Sequence, residues 1–222
     1  MKPLYDRPNQ FDIVLFFNDV YFCKTDVIRM LLYNADMVCA MDFDSGFRDT
    51  WVCIKFFSCN EWVKVMRTID GKLVGKMPPD FDISHSGTLE RLRQGKPFHV
   101  LSAWNGMVSI NASVFDKGVR FHDGRSTSCP TSECTLFCLD LWKHNFTRIV
   151  VDPQVLVAYD PFDFLKLNKM SFPTARSVID RDIPYYPMPE EWSCCPILGN
   201  NYDGLREDCK TQSLSEWRPF SH

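Results

Sequence analysis

The chain has 222 residues, of which 45% are apolar, 14% aromatic and 24% charged, and its formal net charge is −3. This apolar content excludes a disordered or low-complexity chain, because burying it offsets the entropy lost on folding. The 25 basic and 28 acidic residues nearly balance, so composition gives no sign of the basic face of a nucleic-acid-binding protein. Apolar runs such as residues 13–17 are far shorter than a membrane-spanning helix, and we therefore expect no membrane segment in this chain.

The first fifty residues predict alternating strands and helices. Residues 12–17 are typical of a strand buried on both faces, and the polar pair Asn18-Asp19 follows it directly. A helix is expected over residues 25–33, and a second buried strand over residues 36–41 ends at Asp42. The apolar stripe that we expect to face inward on the helix consists of Val27, Ile28, Leu31 and Leu32. This order of elements favours an α/β fold over an all-β fold.

The middle of the chain predicts further strands and one short helix. Residues 51–57 have the composition of a strand, and residues 88–94 predict a helix that Gly95 and Pro97 end. Residues 98–103 and 106–111 predict two strands on either side of Trp104-Asn105-Gly106. Because Asn-Gly is a strong signal for a tight turn, we expect these two strands to form a hairpin.

The clearest helix lies over residues 132–145, where Cys134, Phe137, Cys138, Leu141 and Trp142 form one apolar stripe. Two short strands are expected at residues 148–151 and 155–159, on either side of Pro153. Beyond residue 169 the chain is rich in proline and has little periodicity. We therefore expect a single α/β domain over residues 1–169 and an irregular C-terminal arm over residues 170–222.

Ten cysteines and two glycosylation sequons favour an oxidising compartment. The sequons are Asn111-Ala112-Ser113 and Asn145-Phe146-Thr147. A second interpretation is that cysteines in apolar strands, such as Cys39 and Cys53, are reduced core residues. The cysteines between residues 129 and 138 lack the CxxC pair typical of zinc sites, which makes a zinc site the weaker interpretation.

Three groups of residues are candidates for chemistry. The carboxylate of Asn18-Asp19, at a strand end, suits a hard cation that bridges to phosphate oxygens, although a polar pair at this place more often opens the next helix as a cap. Glu133 begins the clearest helix, whose N-terminus stabilises its charge, although glutamate is common there without any catalytic role. Trp104-Asn105-Gly106 places a flat apolar ring beside an amide, a combination that binds sugars but also occurs in turns. No phosphate-binding loop, dinucleotide fingerprint, zinc-protease motif or hydrolase elbow is present.

The order of several short motifs over about residues 11–160 resembles the fungal capsule-associated (CAP59-like) mannosyltransferases, glycosyltransferase family 69. The motifs that carry the resemblance are Asn18-Asp19-Val20, Phe22-Cys23, Cys39-Ala40-Met41-Asp42-Phe43, Asp49-Thr50-Trp51-Val52, Pro97-Phe98, Trp104-Asn105-Gly106-Met107-Val108, Ser132-Glu133-Cys134 and Asp140-Leu141-Trp142.

The resemblance implies a GT-A-like mixed sheet with flanking helices and transfer of mannose from GDP-mannose to a glycan acceptor in α-1,3 linkage. It implies that Asp19 and Asn18 bind Mn²⁺ or Mg²⁺ together with the diphosphate. Glu133 would be the catalytic carboxylate near the acceptor, and Trp104, Asn105, Gly106 and Asp42 would bind the sugar. Members of the family are typically membrane-anchored proteins of the secretory pathway, so the resemblance implies the lumen of the Golgi or the endoplasmic reticulum.

Two departures from the family pattern bear on activity. The family has an Arg-Asp pair shortly after its central Trp-Val, whereas Trp51-Val52 is followed here by Cys53-Ile54-Lys55. The family also places an anchor and its first nucleotide-binding βαβ units ahead of the Asn-Asp strand, which begins near residue 11 here. The second departure predicts a partial, N-terminally truncated GT-A-like domain, and the first predicts the loss of substrate contacts. They keep open a second hypothesis, a non-catalytic pseudo-glycosyltransferase or a module that binds glycans or proteins.

Overall fold

A computed structural model describes residues 4, 6–7, 9–43, 52–53, 62–63, 65–74, 82–122, 127–167, 179–195 and 209–218. Its strands are β1 (Ile13–Phe17), β2 (Met37–Phe43), β3 (Val52–Cys53), β4 (Trp62–Val63), β5 (Arg67–Thr68), β6 (Phe98–Ser102), β7 (Met107–Asn111), β8 (Ile149–Ala158), β9 (Glu191–Cys194) and β10 (Lys210–Ser213). Its helices are α1 (Lys24–Leu31), α2 (Ser86–Arg93), α3 (Ser113–Asp116), α4 (Glu133–Lys143) and α5 (Pro161–Leu167).

Six strands form a mixed sheet in the order β1-β7-β2-β8-β6-β5. The central strands β2 and β8 are parallel, and the other neighbours in this sheet are antiparallel. Every residue of β2 and β8 is buried, which accounts for their largely apolar sequences; the polar exceptions are Asp42 in β2 and Asp152 and Gln154 in β8. The structure confirms the mixed α/β class, and all of the predicted helices and most of the predicted strands are present.

The two strands predicted around Pro153 form one strand of ten residues, β8. The proline is accommodated because the pairing between β2 and β8 shifts register there: Cys39 pairs with Val151, but Met41 pairs with Leu156. Proline lacks the N–H that a regular ladder needs, so an irregularity of this kind is expected at its position. The strand predicted over residues 51–57 is described at Val52–Cys53, and its remainder lies outside the described residues.

The prediction that the first strand is buried on both faces is wrong. Strand β1 lies at the edge of the sheet and pairs with β7, and its end residues Ile13 and Phe17 are exposed. The apolar run was misleading because only Val14 and Phe16 pack on the main core. The residues that alternate with them, Ile13, Leu15 and Phe17, point to the other face of the sheet.

The prediction for the inward stripe of α1 is wrong for three of its four residues, and only the partly buried Val27 packs against the core. Ile28 is 60% exposed, and Leu31 and Leu32 are exposed as well, whereas Arg29 is buried. The cause is a buried polar network: the Arg29 Nε donates to Asp152 Oδ2 at 2.5 Å, and the Tyr33 hydroxyl donates to the same oxygen at 2.6 Å. Leaving the buried Asp152 carboxylate unpaired would cost much more free energy than exposing leucine side chains to water. The helix therefore turns Arg29, and not its leucines, toward β8.

The hairpin predicted between residues 98–103 and 106–111 does not form. Strand β7 pairs with β1 on one side and with β2 on the other, which leaves β6 to pair with β8 and β5. The residues between β6 and β7 therefore connect strands that β2 and β8 separate in the sheet. The Asn-Gly signal marks the change of direction correctly but says nothing about which strands pair.

Helix α4 covers one face of the sheet, and its predicted apolar stripe is buried as expected. The Trp142 indole N–H donates to the Leu101 carbonyl at 2.9 Å, and Cys138 Sγ lies 3.6 Å from the Ala103 carbonyl oxygen. These two contacts show that α4 runs antiparallel to the chain between residues 101 and 103. Its N-terminus therefore points toward the residues that follow Ala103.

The C-terminal arm has no helix or strand over residues 179–190, and it continues into paired structure. Strands β9 and β10 pair in antiparallel fashion and form a second, two-stranded sheet, here called the C-terminal sheet. Two disulfides fix it, Cys129–Cys194 and Cys195–Cys209. Cys39 is a buried core thiol outside any disulfide, as the second interpretation of the cysteines expected, so the chain has both kinds.

Candidate active site

The ends of several strands bring the motif residues together at one end of the large sheet, here called the motif end. Phe17, the last residue of β1, pairs with Met107, the first residue of β7. The backbone N–H of Asn18 donates to the Gly106 carbonyl at 2.8 Å. Because β2 is antiparallel to β7, Asp42 near the end of β2 lies at the same end of the sheet. The fold thus joins segments that are up to about 90 residues apart in the sequence.

Asp42 is buried at the motif end and is almost inaccessible to solvent. In the parallel pair of β2 and β8 it lies opposite Val157. The Tyr159 hydroxyl, just past the end of β8, donates to Asp42 Oδ2 at 3.2 Å. Tyr159 was not singled out as a site residue from the sequence. Its relation to Asp42 depends on the parallel pairing of β2 with β8, which no local pattern predicts.

Gly106 is required by the geometry of this site. Its φ is +65°, and a Cβ at this position would lie 3.0 Å from Val20 Cγ1 and 3.2 Å from the Tyr159 hydroxyl. Glycine alone adopts this backbone conformation readily and leaves room for both neighbours. The glycine therefore lets the chain approach the Asn18-Asp19 segment closely.

Trp104 and Asn105 are both buried. The Trp104 side chain is 7% exposed, and its ring makes edge contacts with Phe16 at 5.3 Å and Phe121 at 5.3 Å between centroids. Asn105 is fully buried, and within the described part of the chain neither its amide nitrogen nor its amide oxygen has a hydrogen-bond partner. A buried amide without partners lowers the stability of the fold by about 1–3 kcal/mol for each unsatisfied group. Asn105 is therefore a candidate to form hydrogen bonds with a ligand.

Asn18 and Asp19 are exposed at the motif end, in the segment between β1 and α1. Their oxygens are hard donors of the kind that Mg²⁺ and Mn²⁺ prefer. Within the residues that the structure describes, no three His, Cys, Asp or Glu side chains form a group that could hold a metal ion. The donor set at this position is thus one carboxylate and one amide oxygen, a chemistry that suits a hard cation.

Glu133 is the first residue of α4 and is exposed. The Ser132 side chain caps the helix by accepting from the Cys134 N–H at 3.2 Å. The positive end of the helix dipole stabilises the Glu133 carboxylate at this position. Glu133 precedes Cys138 by five residues, about 7.5 Å along the helix, and therefore lies beyond Ala103 on the side of the Trp104–Gly106 segment.

The predicted site residues are thus partly assembled. Asn18, Gly106 and Asp42 lie together at the motif end. Trp104 and Asn105 directly precede Gly106 in the chain and are buried in the adjoining core. Helix α4 directs Glu133 to the same side of the sheet. The Asp49-Thr50-Trp51 motif and the side chains of Cys53-Ile54-Lys55 lie outside the described residues. None of the described helices is both long enough and apolar enough to span a bilayer.

Comparison with known proteins identifies the family. A family model described as "Cryptococcal mannosyltransferase 1" matches residues 1–140, more than half of the chain. Among curated proteins, the alpha-1,3-mannosyltransferase CMT1 of Cryptococcus neoformans is 30% identical over 168 residues. That alignment covers 68% of this chain and 34% of the relative, so the chain matches about a third of the length of that protein. No solved structure matches the chain significantly.

The matched region contains β1, β2, the Trp104–Gly106 segment and the start of α4, and hence every site residue predicted from the sequence, whereas Tyr159 lies beyond it. It also agrees with the resemblance carried by the short motifs. The chain belongs to the cryptococcal mannosyltransferase family.

Proposed function

We propose that the protein is a glycosyltransferase that moves mannose from GDP-mannose to a glycan acceptor, in α-1,3 linkage as the name of its curated relative suggests. The observation that carries the proposal is the assembly of family motif residues, Asn18, Asp42 and Gly106, at one end of the sheet. Ligands commonly bind beyond strand ends in open α/β sheets. The mixed sheet with its flanking helices also supports a GT-A-like domain.

Asn18 and Asp19 are proposed to bind the diphosphate of the donor through Mn²⁺ or Mg²⁺. The cation supplies neutralisation of the charge that develops on the leaving diphosphate. Asp19 contributes a carboxylate and Asn18 an amide oxygen, and the backbone of Asn18 is held by the Gly106 carbonyl. This backbone bond keeps the pair at the motif end before any ligand arrives.

The sugar is proposed to lie against the Trp104–Gly106 segment and Asp42. A mannose hydroxyl would provide the hydrogen bonds that the buried Asn105 amide lacks within the described residues. The Tyr159 hydroxyl orients the Asp42 carboxylate by donating to one of its oxygens. Trp104 supports Asn105 from the core, because its ring is packed among other aromatic rings.

Glu133 is proposed as the catalytic carboxylate. At the positive end of the α4 dipole, its carboxylate would hold the acceptor hydroxyl as a base or stabilise positive charge at the anomeric carbon. Its exposure suits contact with an acceptor that arrives from solvent.

The disulfides support a place in the secretory pathway, the lumen of the Golgi or the endoplasmic reticulum. Both Cys129–Cys194 and Cys195–Cys209 require an oxidising compartment to persist. The sequon residue Asn145 is exposed and can accept a glycan, whereas the Asn111 side-chain oxygen is engaged by the N–H and hydroxyl of Ser113.

A non-catalytic binding protein is the second candidate. It is favoured by Cys53-Ile54-Lys55, which stands where the family has an Arg-Asp pair. Such a protein would bind a glycan or a protein partner without turning over a donor. Binding of GDP-mannose with no transfer to any mannoside acceptor would support it.

Isothermal titration calorimetry of the purified chain with GDP-mannose tests the donor and the metal together. We expect binding that requires Mn²⁺ or Mg²⁺ and that weakens at least about tenfold in Asp19→Asn, since a metal ligand is lost. Asp116→Asn is the matched control, because Asp116 is also exposed but lies in α3, beyond the opposite end of β7. Absence of donor binding by the unmodified chain in the presence of Mn²⁺ would overturn the proposal.

A further inference from the structure

The C-terminal sheet is attached to the segment that begins α4. The Cys129–Cys194 disulfide ties the last residue of β9 to the loop four residues before Glu133. On the exposed side, the Gln212 side-chain amide of β10 donates to the Ser128 carbonyl at 3.2 Å. Both contacts fix the chain just ahead of the helix.

Arg67 provides a second attachment, from the other side of the same turn. Its Nε donates to the Ser193 carbonyl of β9 at 2.7 Å, and its Nη1 donates to the Thr135 hydroxyl in the first turn of α4 at 3.1 Å. The guanidinium also lies 5.0 Å from the centre of the Trp192 ring. Arg67 therefore connects the large sheet, the C-terminal sheet and α4 through one side chain.

The environment of Arg67 makes this connection rigid. The side chain is fully buried, and Nη1 makes a further bond to the Val65 carbonyl at 2.9 Å. Burial lowers the pKa of Arg67 to about 9, so the guanidinium still carries its charge at neutral pH. A charged, planar fork that bonds to three segments permits little change in their relative positions.

Glu133 lies between the two attachments. Cys129 precedes it by four residues, and Thr135 follows it by two. The first turn of a helix has several N–H groups without partners inside the helix and frays easily, so its direction depends on contacts of this kind. A shift of 1 Å in a catalytic group can lower a rate by about a hundredfold.

We propose that Arg67, through Thr135 and together with the Cys129–Cys194 disulfide, is a positioning residue that sets the direction of the first turn of α4 and hence the location of the Glu133 carboxylate. The C-terminal sheet contains none of the motifs that carry the family resemblance. By holding the first turn of α4, it would nevertheless be a structural part of the active site. The inference rests on the proposed role of Glu133, and its test separates the two.

The test compares variants of Thr135 in the full chain. Thr135→Val removes the hydroxyl that Arg67 bonds, and we expect it to lower kcat for mannose transfer about tenfold with an unchanged KM for the donor. Thr135→Ser keeps the hydroxyl and should restore kcat. Thr88→Val is the matched control, because Thr88 is equally buried at the start of α2, where its hydroxyl contacts His85 Nδ1 at 2.9 Å. It should leave kcat unchanged.

Hydrogen exchange gives a second measurement that does not depend on activity. The Leu136 N–H, which donates to the Ser132 carbonyl at 3.0 Å, should exchange faster in Thr135→Val than in Thr88→Val. Equal exchange in the two variants, or equal kcat, would overturn the positioning role. If Glu133→Gln transfers mannose at the rate of the unmodified chain, the proposed role of Glu133 fails instead, whatever Thr135→Val does.

Discussion

Acidification should destabilise the protein through the buried histidine His99. Its Nδ1 accepts from the Tyr186 N–H at 3.1 Å, and its Nε2 lies 2.7 Å from the Thr147 carbonyl, to which it donates. This pair of bonds requires the neutral ring with its proton on Nε2. Burial, with a smaller effect of the nearby His85, lowers the pKa of His99 to about 4 in the folded protein.

The sign and size of the effect follow from the difference between the two states. In the unfolded chain histidine has a pKa of about 6.5, so between about pH 6.5 and 4 the unfolded state binds more protons than the folded state and stability falls as the pH falls. At pH 5 this difference amounts to about 2 kcal/mol of the free energy of unfolding.

Urea unfolding at pH 7 and pH 5 measures it. We expect His99→Gln, which cannot titrate, to lose about 2 kcal/mol less on acidification than the unmodified chain, although it is less stable at pH 7. Equal losses in the two proteins would refute the assignment of a neutral buried His99.

Two further predictions concern the orientation of α1 and the close approach at Gly106. Arg29→Ala should lower the free energy of unfolding by about 3–5 kcal/mol because it leaves Asp152 without its ion-pair partner. Ile28→Ser, on the exposed face, should change this free energy by less than about 0.5 kcal/mol. Similar losses for the two variants in chemical denaturation would contradict the orientation of α1. Gly106→Ala should be more destabilising than Gly118→Ala and should also reduce transfer, because both have positive φ but a Cβ at Gly118 would meet nothing within 4 Å.

The sequence predicted elements better than it predicted faces and partners. Helix α4 could be located because its period and its Ser132 cap are local features. The orientation of α1 could not be predicted, because it depends on the bond between Arg29 and Asp152, which are more than 120 residues apart. Nothing in the local sequence distinguishes Asp152 from other acidic residues in strands. The strand order had the same difficulty: β1 and β2 are equally apolar, but β1 lies at an edge and β2 at the centre.

The candidate site shows the same division between local and distant information. Asn18-Asp19 and Trp104-Asn105-Gly106 could be selected from residue types and from the family resemblance, and the fold brings these segments into contact. The contribution of Tyr159 depends on strand register, and that of Arg67 depends on a charged residue being buried among carbonyl groups. Neither feature has a signature in the sequence, because each is created by segments that meet only in the folded chain.

Transfer of labelled mannose from GDP-mannose to a mannoside acceptor, in the presence of Mn²⁺, is the direct assay of the proposed activity. We expect the purified chain to form a mannosylated product, and we expect Glu133→Gln to lower the rate at least about a hundredfold while the folded fraction stays the same. Product formation by Glu133→Gln at the rate of the unmodified chain, or no product from the unmodified chain, would contradict these expectations.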